Sequence, residues 1–349
     1  MDTGGVLELF SEVEKLRVQL MNNVEVMPDC QRVEGEVSHK EILTCIENII
    51  LGIVTSLSKD EAPILALPNR SSWANISFDS AIGLQMVSGS SITTIRSDCP
   101  SSVTKFAQIV KILSVIYRLV QSNSYATKRD IYYSNTQLFG SQSAVDSIVD
   151  DISCMLKVPR RSLHVLATSK GLISGDLCYM EEDGTRIDCY SSSTVCVCVD
   201  QGKGVPDVNS RLMVRKLWDT LHIPVFALVD ADPHGIEIMC IYKYGSVAMS
   251  FEAHSLTVPS VMWLGLLPSD LQRLRVPEDA LIPLTKRDES KLSSLLKRPY
   301  LTSQPDWQRE MELMQQTKVK AEIQSLAAIA PDFLTNTYLP NKLRYGGWV

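Results

Sequence analysis

Three helical patterns in a row, followed by a strand pair, constrain this chain more than any other feature. Val103–Gln121 places Phe106, Ile109, Val110, Leu113, Ile116 and Tyr117 on one face. After a polar turn, a shorter helix opens at Thr127, with Thr127 and Asp130 at capping-box spacing. Gly140-Ser141 break it. A third helix, about 143–157, carries Val145, Ile148, Val149, Ile152, Met155 and Leu156 at i, i+3, i+4, i+7 spacing. Strands are expected at about 163–167 and 172–180, with Asp183-Gly184 turning a hairpin. This order is that of a winged helix-turn-helix of the CAP type, whose third helix usually enters the DNA major groove. A winged-helix protein-interaction module has the same pattern.

The middle helix holds the most chemistry. Lys128-Arg129 precede the adjacent tyrosines Tyr132 and Tyr133 within its first turns. A phenol, with a pKa of about 10, is a poor nucleophile at neutral pH. Beside cations that also hold a phosphate, it can attack phosphorus and form a covalent phosphotyrosyl intermediate. The plainer reading is an amphipathic helix with two half-buried aromatics. Arg160-Arg161 fall at the end of the third helix, where phosphates can be met. A net charge of −6 argues against a general nucleic-acid coat but leaves room for a local basic footprint.

At 349 residues, 45% hydrophobic and 21% charged, the chain has the composition of a globular protein of two or three domains. Met-Asp-Thr-Gly-Gly lacks the basic region of a signal peptide. The most apolar stretch, Ile46–Leu57, is short for a membrane span and contains Glu47, so no membrane association is expected. Nine cysteines without a C-x-x-C argue against a disulfide framework or zinc site and for a reducing compartment, cytosol or nucleus. Cys196 and Cys198 alternate with Val195, Val197 and Val199, as in strand packing.

Residues 5–22 and 39–57 read as amphipathic helices, the second with Ile42, Ile46, Ile49, Ile50 and Ile53 on one face. Residues 58–102, rich in Ser, Asn and Pro, read as irregular structure with short strands. Beyond 195 an α/β pattern begins. Pro224–Val229 is a buried parallel strand, Ile236–Tyr244 a helix, Ser246–Phe251 and Pro259–Leu264 further strands, and Pro268 opens another helix. The tail, 285–349, is charged and helical. The resulting division is 1–58 (helical, partner-binding), 59–102 (connecting), 103–190 (winged helix) and 191–349 (metal-binding α/β with C-terminal helices).

Asp230 and Asp232 stand at i and i+2 after the Pro224–Val229 strand, where α/β sheets place ligands. Carboxylates at that spacing suit Mg²⁺, and Gly235 allows the tight turn. A capped strand-to-helix turn uses the same residue types. His234 reads as an ordinary turn residue. Gly202-Lys203-Gly204 lacks the spacing of a P-loop.

Taken together, Thr127–Phe139 (TKRDIYYSNTQLF), Gly202–Asp207 (GKGVPD), Leu228–Gly235 (LVDADPHG), Leu264–Leu271 (LGLLPSDL) and Leu339–Val349 (LPNKLRYGGWV) resemble the eukaryotic meiotic relatives of the topoisomerase VI A-type protein. The resemblance implies an α+β and α/β chain: a winged helix carrying the tyrosine, then a toprim domain carrying the acids. It implies a type IIB topoisomerase-like enzyme, of the isomerase class, that makes meiotic double-strand breaks through a 5′-phosphotyrosyl link. Tyr133 corresponds to the nucleophile and Tyr132 to a position that need only be aromatic. Arg129 corresponds to the phosphate-contacting arginine, and Asp230 and Asp232 to Mg²⁺ ligands. Lys128, Arg160, Arg161, Lys170 and Lys203 make up the expected DNA-contacting set. Also implied are double-stranded DNA, a homodimer with composite sites, a topoisomerase VI B-like subunit that binds ATP, meiotic accessory proteins and residence on meiotic chromosomes in the nucleus.

One departure stands out. The family's toprim domain opens with a strand ending in a metal-binding glutamate, usually within Val-Glu-Lys. Here Cys196-Val197-Cys198-Val199-Asp200 runs directly into Gln201-Gly202-Lys203-Gly204. Val13-Glu14-Lys15 lies in the N-terminal helix, and Glu181 and Glu182 in the hairpin, so none replaces it. The toprim-like domain is therefore read as incomplete. A non-catalytic form that binds DNA or partners without cutting is the alternative.

Overall fold

The computed structural model describes residues 38–166, 171–180, 186–189, 195–197 and 207–349. The helix expected over 5–22, the Asp183-Gly184 turn, Lys170, Lys203, Glu181, Glu182 and the Asp200–Gln201 junction lie outside the described residues.

The architecture is mixed α/β, built on two hydrophobic cores. Helix α1 (His39–Ser58) starts from Ser38, whose side chain and that of Glu41 form a reciprocal capping box. Ile42 and Ile46 are buried, and Tyr117 donates to Glu47 at 2.8 Å. Ile50, expected on the inner face, is exposed, as are Leu51, Val54 and Leu57. The helix has close to the bounds expected from sequence. It has the length and composition of a membrane span, while its inner face is part of a protein core.

Next come β1 (Ile64–Pro68), β2 (Ile76–Asp79), β3 (Gly83–Met86) and β4 (Ile92–Arg96). They are two nested antiparallel pairs, β1 with β4 outside and β2 with β3 inside. Helix α2 (Val103–Gln121) has the bounds its apolar stripe requires. It is followed by β5 (Ala126–Thr127), α3 (Lys128–Ser134), α4 (Thr136–Phe139), α5 (Gln142–Leu156) and β6 (Val165–Leu166), which is parallel to β5. The strand expected from 163 is shorter because Arg160–Leu163 close a 3-10 turn capped by His164 at φ 58°. Beyond it lie β7 (Gly171–Ile173), β8 (Cys178–Met180), β9 (Arg186–Asp188) and β10 (Val195–Val197), paired β8 with β9 and β7 with β10. The strand expected at 172–180 is thus two strands, divided where Gly175 takes φ 137°, a conformation suited to glycine. Ile109, Ile112, Leu113 and Ile116 of α2, with Val145, Ile148, Val149 and Ile152 of α5, centre the first core.

The second core begins with α6 (Val208–Leu221), β11 (Phe226–Leu228), α7 (Pro233–Tyr244), α8 (Ala253–Leu256) and β12 (Met262–Gly265). β11 and β12 are parallel, the only parallel pair in this half among the described residues. The strand expected at Ser246–Phe251 is instead a 3-10 segment, Val247–Glu252. Gly245 ends α7 at φ 88°, and the Ser250 hydroxyl donates back to the Val247 carbonyl at 2.8 Å, a local bond that competes with an extended ladder. The remainder is α9 (Pro268–Arg273), β13 (Ile282–Pro283), α10 (Lys286–Leu296), α11 (Pro305–Thr317), β14 (Val319–Lys320) and α12 (Leu339–Tyr345). Trp263, Trp307, Met311, Leu292 and Tyr244 centre this core. Val349 pairs with Trp263 through both backbone bonds, at 2.6 and 3.0 Å.

The composition of 58–102 has a structural cause. Asn75 is buried where the two strand pairs meet. Its amide nitrogen donates to the Asn69 carbonyl at 2.7 Å and the Ser91 hydroxyl at 2.9 Å, and its oxygen accepts the Ser91 N–H at 3.0 Å. A buried polar group must be satisfied, so the polar residues stitch the joint. Replacing Asn75 by Ala leaves those partners unpaired and is expected to cost about 1–3 kcal/mol, read as a lowered urea midpoint at unchanged slope.

Candidate active site

The seven-residue helix α3 is too short to be stable alone. The expected capping box is present: Asp130 N–H donates to Thr127 Oγ1 at 3.2 Å, and Asp130 Oδ2 accepts the Thr127 N–H at 2.7 Å. Those bonds lower the Asp130 pKa. Ile131 is buried, and Tyr132 packs half-buried against the first core. Tyr133, one residue further round the helix, is 70% exposed, its ring 5.3 Å from that of Tyr132. Arg129 is also exposed and lies four residues before Tyr133, on the same helix face.

Two of the residues expected to meet DNA are turned inward. Lys128 Nζ lies 3.1 Å from Asp150 Oδ1 and 3.2 Å from the Asp146 carbonyl, and its side chain is mostly buried. Burial lowers its pKa, with Asp150 opposing. Arg160 is buried too, its Nη1 3.6 Å from the same Asp150 oxygen. The cause is α5, which lines Asp146, Asp150 and Asp151 along one flank, and cations buried beside it need carboxylate partners. Arg161, the next residue, is exposed.

The acidic pair lies at the end of β11. Asp230 Oδ1 accepts the Ile323 N–H at 2.8 Å. Asp232 is the N-cap of α7, accepting the Gly235 N–H at 2.5 Å. A Cβ at position 235 would come within 2.6 Å of the Asp230 carbonyl oxygen, so the turn needs glycine. Burial raises the Asp232 pKa, and the neighbouring Asp230 charge adds to the rise. A cation between the two would relieve both effects. Among the described residues no group of three or more His, Cys, Asp or Glu is placed to hold a metal. Among the described residues each aspartate has one oxygen engaged by backbone and one remaining. Mg²⁺ keeps several waters and is usually bound by one or two carboxylates plus substrate phosphates. The pair therefore fits Mg²⁺ as a half-site that phosphate and water oxygens would complete.

Beside it, Asp288 takes bonds from Lys320 at 2.9 Å, the Thr285 N–H at 3.0 Å and the Thr285 hydroxyl at 2.8 Å, with His234 at 3.7 Å. Burial alone would raise its pKa, but these partners hold it down at about 2. Sequence reasoning passed over Asp150, Asp151 and Glu252, and it read Arg211, with Arg215-Lys216, as a solvated basic face. Glu252 is buried and pushed up to about 7 by desolvation, and Arg211 is buried and pushed down to about 10. Adjacent Asp150-Asp151 inside an otherwise apolar helical pattern was the available signal.

Residues 104–165 match the family described as type IIB DNA topoisomerase, and residues 186–343 match the Toprim domain of Spo11 and the topoisomerase 6 A-type protein. The chain is 57% identical to the meiotic recombination protein SPO11 of Mus musculus, with 89% of each chain covered. It is 31% identical to the A-type protein of DNA topoisomerase 6 from Arabidopsis thaliana, covering 88% of this chain and 81% of that one. The chain belongs to the Spo11/topoisomerase VI A-type family. In family terms, Tyr132 and Tyr133 fall in the first matched segment, and Asp230 and Asp232 in the Toprim segment. The mouse alignment runs over 355 positions but takes in 89% of a 349-residue chain, about 311 residues, so about 44 positions face a gap in this chain. The Arabidopsis alignment, 351 positions over 88% of the chain, leaves a similar number of positions unmatched.

Asp288 generates a pH prediction. Its folded pKa of about 2 lies below the unfolded value of about 3.9, so it stabilises the fold above pH 4, and that contribution fades as pH falls towards 2. Asp288→Asn should flatten this part of the acid limb in urea midpoints measured from pH 5 to pH 2.

Proposed function

We propose that this chain is a topoisomerase-like DNA transesterase that initiates meiotic recombination by breaking double-stranded DNA, with Tyr133 as nucleophile. The carrying observation is the split between the two tyrosines, Tyr132 packed inward and Tyr133 70% exposed beside Arg129 in a family-matched segment. The Tyr133 oxygen bonds to phosphorus as its proton leaves. The bond to the 3′ oxygen breaks, that oxygen takes up a proton, and the 5′ phosphate stays on the tyrosine. Arg129, on the same face, holds the phosphate oxygens, and a cation nearby lowers the cost of the phenolate. Asp230 and Asp232 would hold Mg²⁺, which when bound neutralises charge on the phosphodiester oxygens. Arg161 is the better candidate of the basic pair 160–161 for meeting the duplex, since it is exposed and Arg160 is buried.

In this reading the N-terminal half is a winged helix, the working form is a homodimer whose sites combine the tyrosine of one protomer with the acids of the other, and a B-type partner completes the assembly on meiotic chromosomes in the nucleus. Tyr133→Phe should abolish covalent protein–DNA complexes, scored as protein resistant to removal from DNA by detergent, while DNA retention stays within about twofold. Persistence of the complexes would move the nucleophile to Tyr132 or elsewhere.

A second reading has its own support. The roughly 44 alignment positions unmatched by this chain, and the lack of a third carboxylate beside Asp230 and Asp232 among the described residues, fit a form that has lost the glutamate-bearing strand between Asp200 and Gln201. Such a form binds DNA and partners without cutting. The readings part on one assay: with Mg²⁺ and a B-type partner, the 349-residue chain either yields covalent complexes or only retains DNA.

A further inference from the structure

We propose that residues 64–96 are a clasp that sets the spacing between the half bearing Tyr133 and the half bearing Asp230 and Asp232, with Arg70, Gly83 and Leu84 as positioning residues. The mechanical role stands by itself, and its catalytic consequence rests on the function proposed above.

The two strand pairs dock on different cores. From the outer pair, Leu65, Leu67 and Ile95 are buried in the first core, with α2 and α5. From the inner pair, Leu84 is fully buried in the second core, and Ile76 and Phe78 pack against it. The Phe78 ring meets Tyr244 edge-on at 5.5 Å and Tyr300 at 6.2 Å. Gly83, at φ 97°, lies so close to the last turn of α7 that a Cβ there would overlap the Tyr244 carbonyl. The Thr257 hydroxyl donates to the Ile82 carbonyl at 2.7 Å, closing the dock.

Between the pairs, Arg70 ties the chain to both halves. Arg70 Nε donates to Asp151 Oδ1 at 2.8 Å and Nη2 to the Ser147 carbonyl at 3.2 Å, both on α5. Its Nη1 reaches the Ala248 carbonyl of the second half at 3.4 Å. The Trp73 ring lies under the Arg298 guanidinium at 5.2 Å. The planar fork of arginine suits it to hold three directions at once. α5 also holds Lys128 of the tyrosine helix through Asp150, so the joint, α5 and α3 form one connected body. Sliding one half against the other requires pulling Leu84 from one core, pulling Leu65 and Leu67 from the other, or opening the joint, besides parting Arg160 from Glu252, which meet directly. In a homodimer that pairs the tyrosine of one protomer with the acids of its partner, this spacing fixes how each protomer presents its two contributions, and a misplacement of an ångström costs a reaction of this kind on the order of a hundredfold.

The test uses the 349-residue chain with spin labels on a non-canonical amino acid at Ser114 of α2 and Gln308 of α11, both exposed. Double electron–electron resonance gives the distance distribution between the halves. Gly83→Ala and Arg70→Ala should each shift or broaden it while helical circular dichroism stays unchanged, and Arg70→Lys, which keeps a cation facing Asp151, should lie nearer the parent. A narrow parent-like distribution in both alanine variants overturns the proposal. If Gly83→Ala loses its helical signal, Arg70→Ala decides alone, since it alters no core residue. Tyr133→Phe should leave the distances untouched, so a failed clasp and a failed nucleophile give different results.

Discussion

Lys128 reaching Asp150 is the interaction on which the tyrosine helix depends. Seven residues offer too few internal hydrogen bonds to offset the entropy of helix nucleation, so α3 must be held from outside. Thr127 and Asp130 satisfy its first N–H groups, Ile131 anchors one face in the first core, and Lys128 ties its first turn to α5. With one face fixed in the core, adjacent side chains diverge by about 100° of helix rotation, which sends Tyr132 inward and Tyr133 outward. The ion pair is mostly buried, so removing Asp150 would strand a desolvated ammonium. A basic residue beside a candidate nucleophile therefore serves architecture here, while its neighbour Arg129 faces solvent.

The acidic pair shows the same double use. Asp232 caps α7 and Asp230 receives the Ile323 N–H, so each carboxylate contributes to the fold through one oxygen and, among the described residues, leaves another. The backbone bonds fix the direction of both side chains before any ligand arrives. Desolvation together with mutual repulsion makes the charged pair costly, and a divalent cation is the natural relief.

Much of this was legible in the sequence, for identifiable reasons. The stripes of α2 and α5 run over many turns, so periodicity located them closely, and the Thr127 cap and the Asp-x-Asp turn announced themselves through short-range chemistry. What stayed hidden depends on contacts distant in sequence. Lys128 and Arg160 look like phosphate ligands until α5 brings Asp150 beside both. The polar run 58–102 looked irregular because its Asn and Ser side chains bond to one another's strands, a tertiary use that composition does not reveal. Ser246–Phe251 has strand-like residues but coils, because a serine back-bond and the glycine before it favour a 3-10 path. The break in the family pattern after Asp200 is a feature of the sequence alone, and the alignments with the mouse and Arabidopsis relatives run longer than the part of this chain that they cover.

The tryptophans are unevenly placed. All five, Trp73, Trp218, Trp263, Trp307 and Trp348, fall outside residues 103–190, and Trp263 and Trp307 are fully buried in the second core. The stretch holding both candidate tyrosines is therefore dark to tryptophan emission. An unfolding trace followed by that light records the second half and the joint at Trp73, whereas far-ultraviolet dichroism also records α2 and α5. Any lag between the two signals is a direct optical measure of how tightly the halves are mechanically coupled.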